Sequence, residues 1–199
     1  MLLGSQLSST DIEAFRQHAK NVLLEPDPFA GLSESERLSA QLHGIRPLYS
    51  THLAGGVAKT LALLGTVGDV VEVGARQTGT SIASSIVSEL LHTANNDLTG
   101  AIWSLLAPQL HLLSEAAPNE VLKALRTGLA DGGPLVPPIL AEGEQGPPLS
   151  LPLSVHTRVQ WALDNLVWSP TYFDATVSVY ARLAELDPGG TWGARPARG

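Results

Sequence analysis

The sequence contains no cysteine among its 199 residues, and only 5% of the residues are aromatic. Without cysteine the chain forms neither disulfides nor thiolate zinc sites, and it has no thiol nucleophile. Basic residues are also few, because 12 Lys and Arg stand against 19 Asp and Glu, a formal net charge of −7. Such a chain lacks the positive surface that drives binding to a phosphate backbone, so nucleic acid is not an expected partner.

A long uncharged apolar run is missing as well. The most apolar stretch, residues 57–73, contains Lys59, Asp69 and Glu72, whereas a membrane-spanning helix needs about 20 nearly uncharged residues. The first residues, MLLG, lack the basic start and the apolar core of a signal peptide. We therefore expect no membrane association and a cytoplasmic location, with which the absence of cysteine is compatible.

The chain is rich in aliphatic residues at helical spacing. Apolar residues make up 44% of the sequence, which is typical of a globular protein. They recur at intervals of three and four residues, the spacing of one face of an α-helix. The predicted buried stripes are Ile12, Phe15, Ala19, Val22 and Leu23; Leu38, Leu42 and Ile45; Leu53, Val57, Leu61 and Leu64; Ile82, Ile86, Leu90 and Leu91; Val121, Leu122, Leu125 and Leu129; Val155, Val159, Ala162, Leu163 and Leu166; and Phe173, Val177, Tyr180 and Ala184.

Prolines mark the boundaries of these helices. Pro108 is expected to kink or split a helix over residues 98–113. Pro118 and Pro170 each follow a small residue and precede an apolar helical pattern, which hints at a repeated helix-pair unit. For residues 69–79 alone, the sequence does not decide between a short strand and an irregular link. We predict an all-α fold of antiparallel helix pairs, stacked as an α-solenoid or packed as an irregular bundle.

One segment interrupts the helical pattern. Residues 131–154 are rich in proline and glycine, and we expect no regular element there, only a mobile insertion. The predicted organisation is a helical segment over 1–130, this loop over 131–154, and a helical hairpin with a tail over 155–199, all within one continuous helical array.

A phosphate-binding loop is suggested by the segment Gly55–Thr60, which reads Gly-Gly-Val-Ala-Lys-Thr. That loop requires a preceding strand, a glycine directly before the lysine and another glycine five residues before that one. Here Ala58 precedes Lys59, and Leu53 holds the earlier glycine position. The favoured interpretation is an ordinary helix whose small residues allow a neighbour to pack closely.

The sequence contains histidines and serines, but their spacing matches no metal-binding or catalytic motif. None of the six histidines has a second histidine three or four residues away, so no helical metal site is indicated. The serines Ser81, Ser84, Ser85 and Ser88 lie on a predicted helix and not in a Gly-x-Ser-x-Gly elbow. We therefore predict no catalytic residue, no metal and no cofactor, and expect that the chain is not an enzyme.

The four tryptophans divide into two groups. Trp103, Trp161 and Trp168 lie among aliphatic residues on predicted helices, so core packing is expected for them. Trp192 and Arg195 lie in a Gly/Arg/Pro-rich tail and are the candidate interaction residues. An exposed tryptophan there would serve as a docking anchor, since aromatic side chains are enriched in binding hot spots. Alternatively, it packs on whatever follows in a longer chain.

Several stretches resemble the helical region of large multidomain bacterial proteins described as STAND-type NTPases, which are linked with defence or signalling. The resembling stretches are 11–15, 32–37, 58–65, 103–106, 114–118, 166–170 and 183–190. All are helix-packing or capping patterns. The resemblance implies a linker or sensor array separate from the ATPase core, with no catalytic residue carried over. Similar proteins continue past Gly190 with further helices, which implies that this chain is a fragment or comes from a truncated reading frame.

Together these patterns predict a non-catalytic helical interaction or regulatory segment, part of a larger bacterial multidomain protein. Its expected partners are proteins, either other domains or other subunits. The alternative is a nucleotide-binding protein that uses a degenerate phosphate loop at Gly55–Thr60.

Overall fold

A computed structural model describes residues 8–30, 32–70, 72–73, 77–140 and 154–186, and it confirms the all-α prediction. The helices in these ranges are α1 (Ser9–Leu23), α2 (Glu34–Leu42), α3 (Thr51–Val67), α4 (Gly79–Asn96), α5 (Ala101–Leu106), α6 (Leu110–Ala116), α7 (Pro118–Gly128), α8 (Val136–Leu140), α9 (Val155–Asp164) and α10 (Phe173–Leu186). Between α3 and α4, β1 (Glu72–Val73) pairs antiparallel with β2 (Gln77–Thr78).

Six of the helices form three successive pairs, α3–α4, α6–α7 and α9–α10. In the first pair the end of α3 meets the start of α4, where a β-carbon on Gly79 would lie 2.8 Å from Gly68 Cα. In the last pair the Tyr180 hydroxyl donates to Asp164 Oδ1 at 2.7 Å, which brings the middle of α10 to the end of α9. These contacts hold the two helices of each pair together.

The first helices of the three pairs pack in one layer, in the order α3, α6, α9. A β-carbon on Gly65, near the end of α3, would lie 2.1 Å from the carbonyl oxygen of Ala116 at the end of α6. Asn165 Nδ2, just after α9, donates to Glu115 Oε1 of α6 at 3.4 Å. Because the C-terminal ends of all three helices meet, neighbours in this layer run parallel.

The second helices form the other layer, in the order α4, α7, α10. Asn95 Nδ2 near the end of α4 donates to the Ala124 carbonyl oxygen of α7 at 3.1 Å. Arg182 Nε of α10 donates to the Leu129 carbonyl oxygen at the end of α7 at 2.9 Å. Hydrogen bonds therefore join successive helices in this layer as well.

One hydrophobic cluster runs through both layers. The predicted stripes of α4 and α7 are buried in it, as is Leu163 of α9. Trp103 of α5 is fully buried, as predicted, and its indole N–H donates to Asn95 Oδ1 at 3.1 Å. Since a buried indole N–H needs a partner, this bond lets a large aromatic ring fill the core without a lost hydrogen bond.

The predicted buried stripe of α2 is wrong. Leu38 and Ile45 are exposed, and Leu42 is 88% exposed. The apolar spacing is helical, and a helix does form, but α2 makes little contact with the other described helices. An amphipathic pattern shows that one side of a helix is apolar, but it does not show that another helix packs against that side.

The proline- and glycine-rich segment is also more regular than predicted. Residues 136–140 form α8, and Leu135 and Ile139 are fully buried in the core. Prolines 137 and 138 lie in the first turn of α8, where a backbone N–H has no helical partner to lose. Residues 141–153 lie outside the described part of the chain.

Pro108 splits the helix predicted over residues 98–113 into α5 and α6. A 3₁₀ turn, Ala107–Gln109, joins the two parts. Proline has no N–H and its ring clashes with the preceding turn, so it breaks the continuous hydrogen-bond ladder at this point.

Candidate interaction surfaces

The segment Gly55–Thr60 does not form a phosphate-binding loop. It lies wholly inside α3, whose N-cap is the Ser50 side chain. Thr60 Oγ1 donates to the carbonyl oxygen of Gly56 at 2.9 Å, an ordinary contact within the helix. Helical backbone N–H groups point along the axis to carbonyls four residues earlier, so they cannot surround a phosphate.

The polar side chains of α4 line a groove between α1 and α7. Ser81, Ser84, Ser85 and Ser88 all face it, and its volume is ≈ 740 Å³. Ser85 Oγ accepts from Arg16 Nη1 at 2.9 Å, which gives this serine a structural partner. Within the described residues no group of three or more His, Cys, Asp or Glu side chains is placed to hold a metal ion, and no helix has the length and apolarity to cross a membrane.

Two of the three tryptophans expected in the core are on the surface. Trp161 is 43% exposed, and Trp168, in the turn between α9 and α10, is 86% exposed. The guanidinium carbon of Arg158 lies 5.4 Å from the centre of the Trp161 ring, a cation–π contact. Trp192 and Arg195, the interaction residues predicted from the sequence, lie outside the described residues.

Trp161 lies on the side of α9 that faces away from the core. It is two residues from Val159 and from Leu163, both fully buried, and two residues correspond to about 200° around an α-helix. Trp161 therefore lies on the side of α9 opposite to these two buried residues.

The helix α10 carries two apolar sides. Thr176, Val179 and Leu183 are buried, whereas Phe173 (48% exposed) and Val177 (43%) form a second stripe, one turn apart, that faces solvent. The predicted buried stripe of Phe173, Val177, Tyr180 and Ala184 is therefore wrong: Tyr180 is half-buried, and the other three residues are exposed.

Trp161, Phe173 and Val177 are the exposed large apolar side chains of α9 and α10, and we call them the open face. They belong to the last helix pair of the described residues, and each is 43–48% exposed. Isolated apolar residues are common on protein surfaces, but exposed large aromatic side chains are candidates for an interface. Nothing in the sequence distinguished this face from a core face, because both have helical spacing.

A second surface lies between α7 and the start of α10. This groove has a volume of ≈ 500 Å³ and is lined by Asn119, Leu122, Lys123, Arg126, Thr127, Thr171, Tyr172 and Ala175. We call it the basic groove, because its lining contains two cations and no carboxylate. The spacing of the polar residues of α7 predicts that they share one side of the helix. The other wall of the groove belongs to the start of α10, and that spacing does not predict it.

Comparisons with protein-family models, with curated proteins and with solved structures find no significant match for this chain. The resemblance to the helical region of STAND-type proteins therefore stays a prediction, and functional inference depends on the two surfaces just described.

Proposed function

We propose that this protein is a non-catalytic helical interaction segment, built as a short α-solenoid, whose open face docks a helix pair of a protein partner. The partner is another domain or another subunit. The observation that carries the proposal is the exposure of Trp161, Phe173 and Val177 on the last helix pair of the described residues. A helix pair of the partner that packs on α9 and α10 would cover these side chains.

The physical support comes from comparing this chain with a helical array whose terminal pair has a polar outer side. Each pair in a helical array covers the apolar side of its neighbour, and a terminal pair normally presents a polar side to water. Here the terminal pair presents two aromatic rings and a valine, each already about half buried. Covering the remaining surface would stabilise a complex by about 3 kcal/mol at the usual value per apolar side chain. Aromatic residues of this kind dominate binding energy when they become fully desolvated.

The test places a photo-crosslinking amino acid at Val177 and expresses the full chain in the cells that produce it naturally. We expect a discrete crosslinked adduct, whose mass identifies the occupant as another protein or as a second copy. A matched probe at Ser178, exposed on the same helix but about 100° away, should give no such adduct.

The adduct should disappear when Trp161 and Phe173 are both replaced by serine while the helical circular dichroism stays unchanged. Equal adducts from positions 177 and 178, or none from either, would contradict docking on the open face.

A further inference from the structure

We propose that the basic groove binds an acidic, extended segment of a protein partner. This surface is separate from the open face. Evidence against binding at one of the two surfaces would therefore not count against binding at the other. Four polar residues of α7, Asn119, Lys123, Arg126 and Thr127, line one side of the groove. Their spacing of four, seven and eight residues places them on one side of the helix.

The charge of the groove is opposite to that of the chain. Lys123 and Arg126 are exposed and line the groove without any carboxylate, although the whole sequence has a net charge of −7. The ion pairs among the described residues involve the cations Arg16, Lys20 and Arg182, and none includes Lys123 or Arg126. Two neighbouring cations without a carboxylate partner attract an anionic ligand.

The rest of the lining suits a polypeptide. Ala175 and the Tyr172 ring, both half-buried, provide apolar contact area, and Thr171 adds a hydroxyl. From Asn119 to Thr127 the helix rises about 12 Å, which matches roughly four residues of an extended chain. Because alternate residues of an extended chain point to the same side, acidic side chains at every second position would face Lys123 and Arg126.

The same features disfavour other anions. A nucleic acid is typically held through about 6–10 phosphate contacts, whereas this groove has two cations on an acidic protein. A small free anion would keep its water, since Lys123, Arg126 and Thr127 are all exposed. An extended acidic segment combines the charge with apolar contact along the groove.

The experiment measures fluorescence anisotropy of a labelled hexapeptide of alternating Glu and Leu with the full chain at low salt. We expect saturable binding that weakens as salt is added. The same hexapeptide with Gln in place of each Glu should bind at least tenfold more weakly. The double variant Lys123→Ala/Arg126→Ala should also weaken binding of the Glu peptide at least tenfold.

A matched control removes the same charge elsewhere. Arg46 and Lys59 are exposed and do not line the groove, so Arg46→Ala/Lys59→Ala should leave the affinity within about twofold of the unaltered chain. The proposal is overturned if the Glu and Gln peptides bind equally, if the control variant loses as much affinity as the groove variant, or if no binding is detected at 1 mM protein. Equal or tighter binding of a single-stranded oligonucleotide of the same charge would also overturn it.

Discussion

Glu89 is the residue that links α1 to α4 through charge. Its carboxylate pairs with Lys20 Nζ at 3.2 Å and with Arg16. Partial burial acts to raise the pKa of Glu89, but the Lys20 hydrogen bond and the charges of Arg16 and Lys20 outweigh it, so the pKa lies below its ordinary value. A carboxyl whose pKa is lower in the folded than in the unfolded chain stabilises the fold above its unfolded pKa. That contribution is lost as the pH falls through the lowered pKa.

We expect Glu89→Gln to lower the free energy of unfolding by about 0.5 kcal/mol at pH 7, a small value because the ion pairs are partly exposed. The difference from the unaltered chain should vanish in acid, below the lowered pKa, where both chains carry a neutral side chain. Urea unfolding at a series of pH values measures it, with Asp69→Asn at an exposed carboxylate as the charge-matched control. A difference that stayed constant down to acid pH would mean that the contribution of Glu89 is not ionic.

At the scale of elements, replacement by alanine is expected to change the stability in opposite directions at two glycines of α3. A β-carbon on Gly65 would lie 2.1 Å from the carbonyl oxygen of Ala116, so alanine there forces α3 away from α6. At Gly56 a β-carbon meets nothing within 4 Å. Alanine inside a helix is favoured over glycine by about 0.5–1 kcal/mol where space allows.

We therefore expect Gly65→Ala to lower the free energy of unfolding by roughly 1–3 kcal/mol, the usual cost of overpacking. Gly56→Ala should raise it by about 0.5 kcal/mol. Thermal unfolding followed by circular dichroism compares the two variants directly. If Gly65→Ala raised the melting temperature, as Gly56→Ala should, the close approach of α3 and α6 would not hold in solution.

Sequence periodicity predicted where helices form better than it predicted which side of each helix is buried. The stripes of α4 and α7 were identified correctly because each of these helices lies inside the stack, where any apolar side finds a neighbour. For α10 the periodicity selected Phe173 and Val177, whereas Val179 and Leu183 are the buried residues. Both sets have helical spacing, and the choice between them depends on which side meets α7, which no local pattern contains.

The candidate surfaces illustrate the same limit. We expect Trp161 in the core because a tryptophan among aliphatic residues usually lies there, but its side chain is 43% exposed. The cations of the basic groove are visible in the sequence as Lys123 and Arg126. That Tyr172 lines the same groove depends on a long-range contact between α7 and α10, which spacing along the chain does not predict.

At the scale of the whole molecule, stacking makes the stability of each pair depend on its neighbours. The pair α6–α7 is covered on both sides, by α3–α4 and by α9–α10, and α4 is further covered by α1. Among the described residues, the last pair contacts only helices that precede it in the chain, and α2 makes few contacts with other helices. In such an array local opening requires less free energy where fewer neighbours must be lost.

Hydrogen exchange followed by mass spectrometry should therefore rank the helices, with α4 and α7 exchanging slowest, α10 faster and α2 fastest. Leu183→Ala, which removes a fully buried side chain between α10 and the core, should speed exchange in α10 by an amount equivalent to about 2–5 kcal/mol, up to the limit of full exposure. Val177→Ala on the open face of the same helix should leave exchange nearly unchanged. If α10 and α4 instead exchanged at one common rate, the chain would open only as a whole, and its last pair would not be the less stable end of a stack.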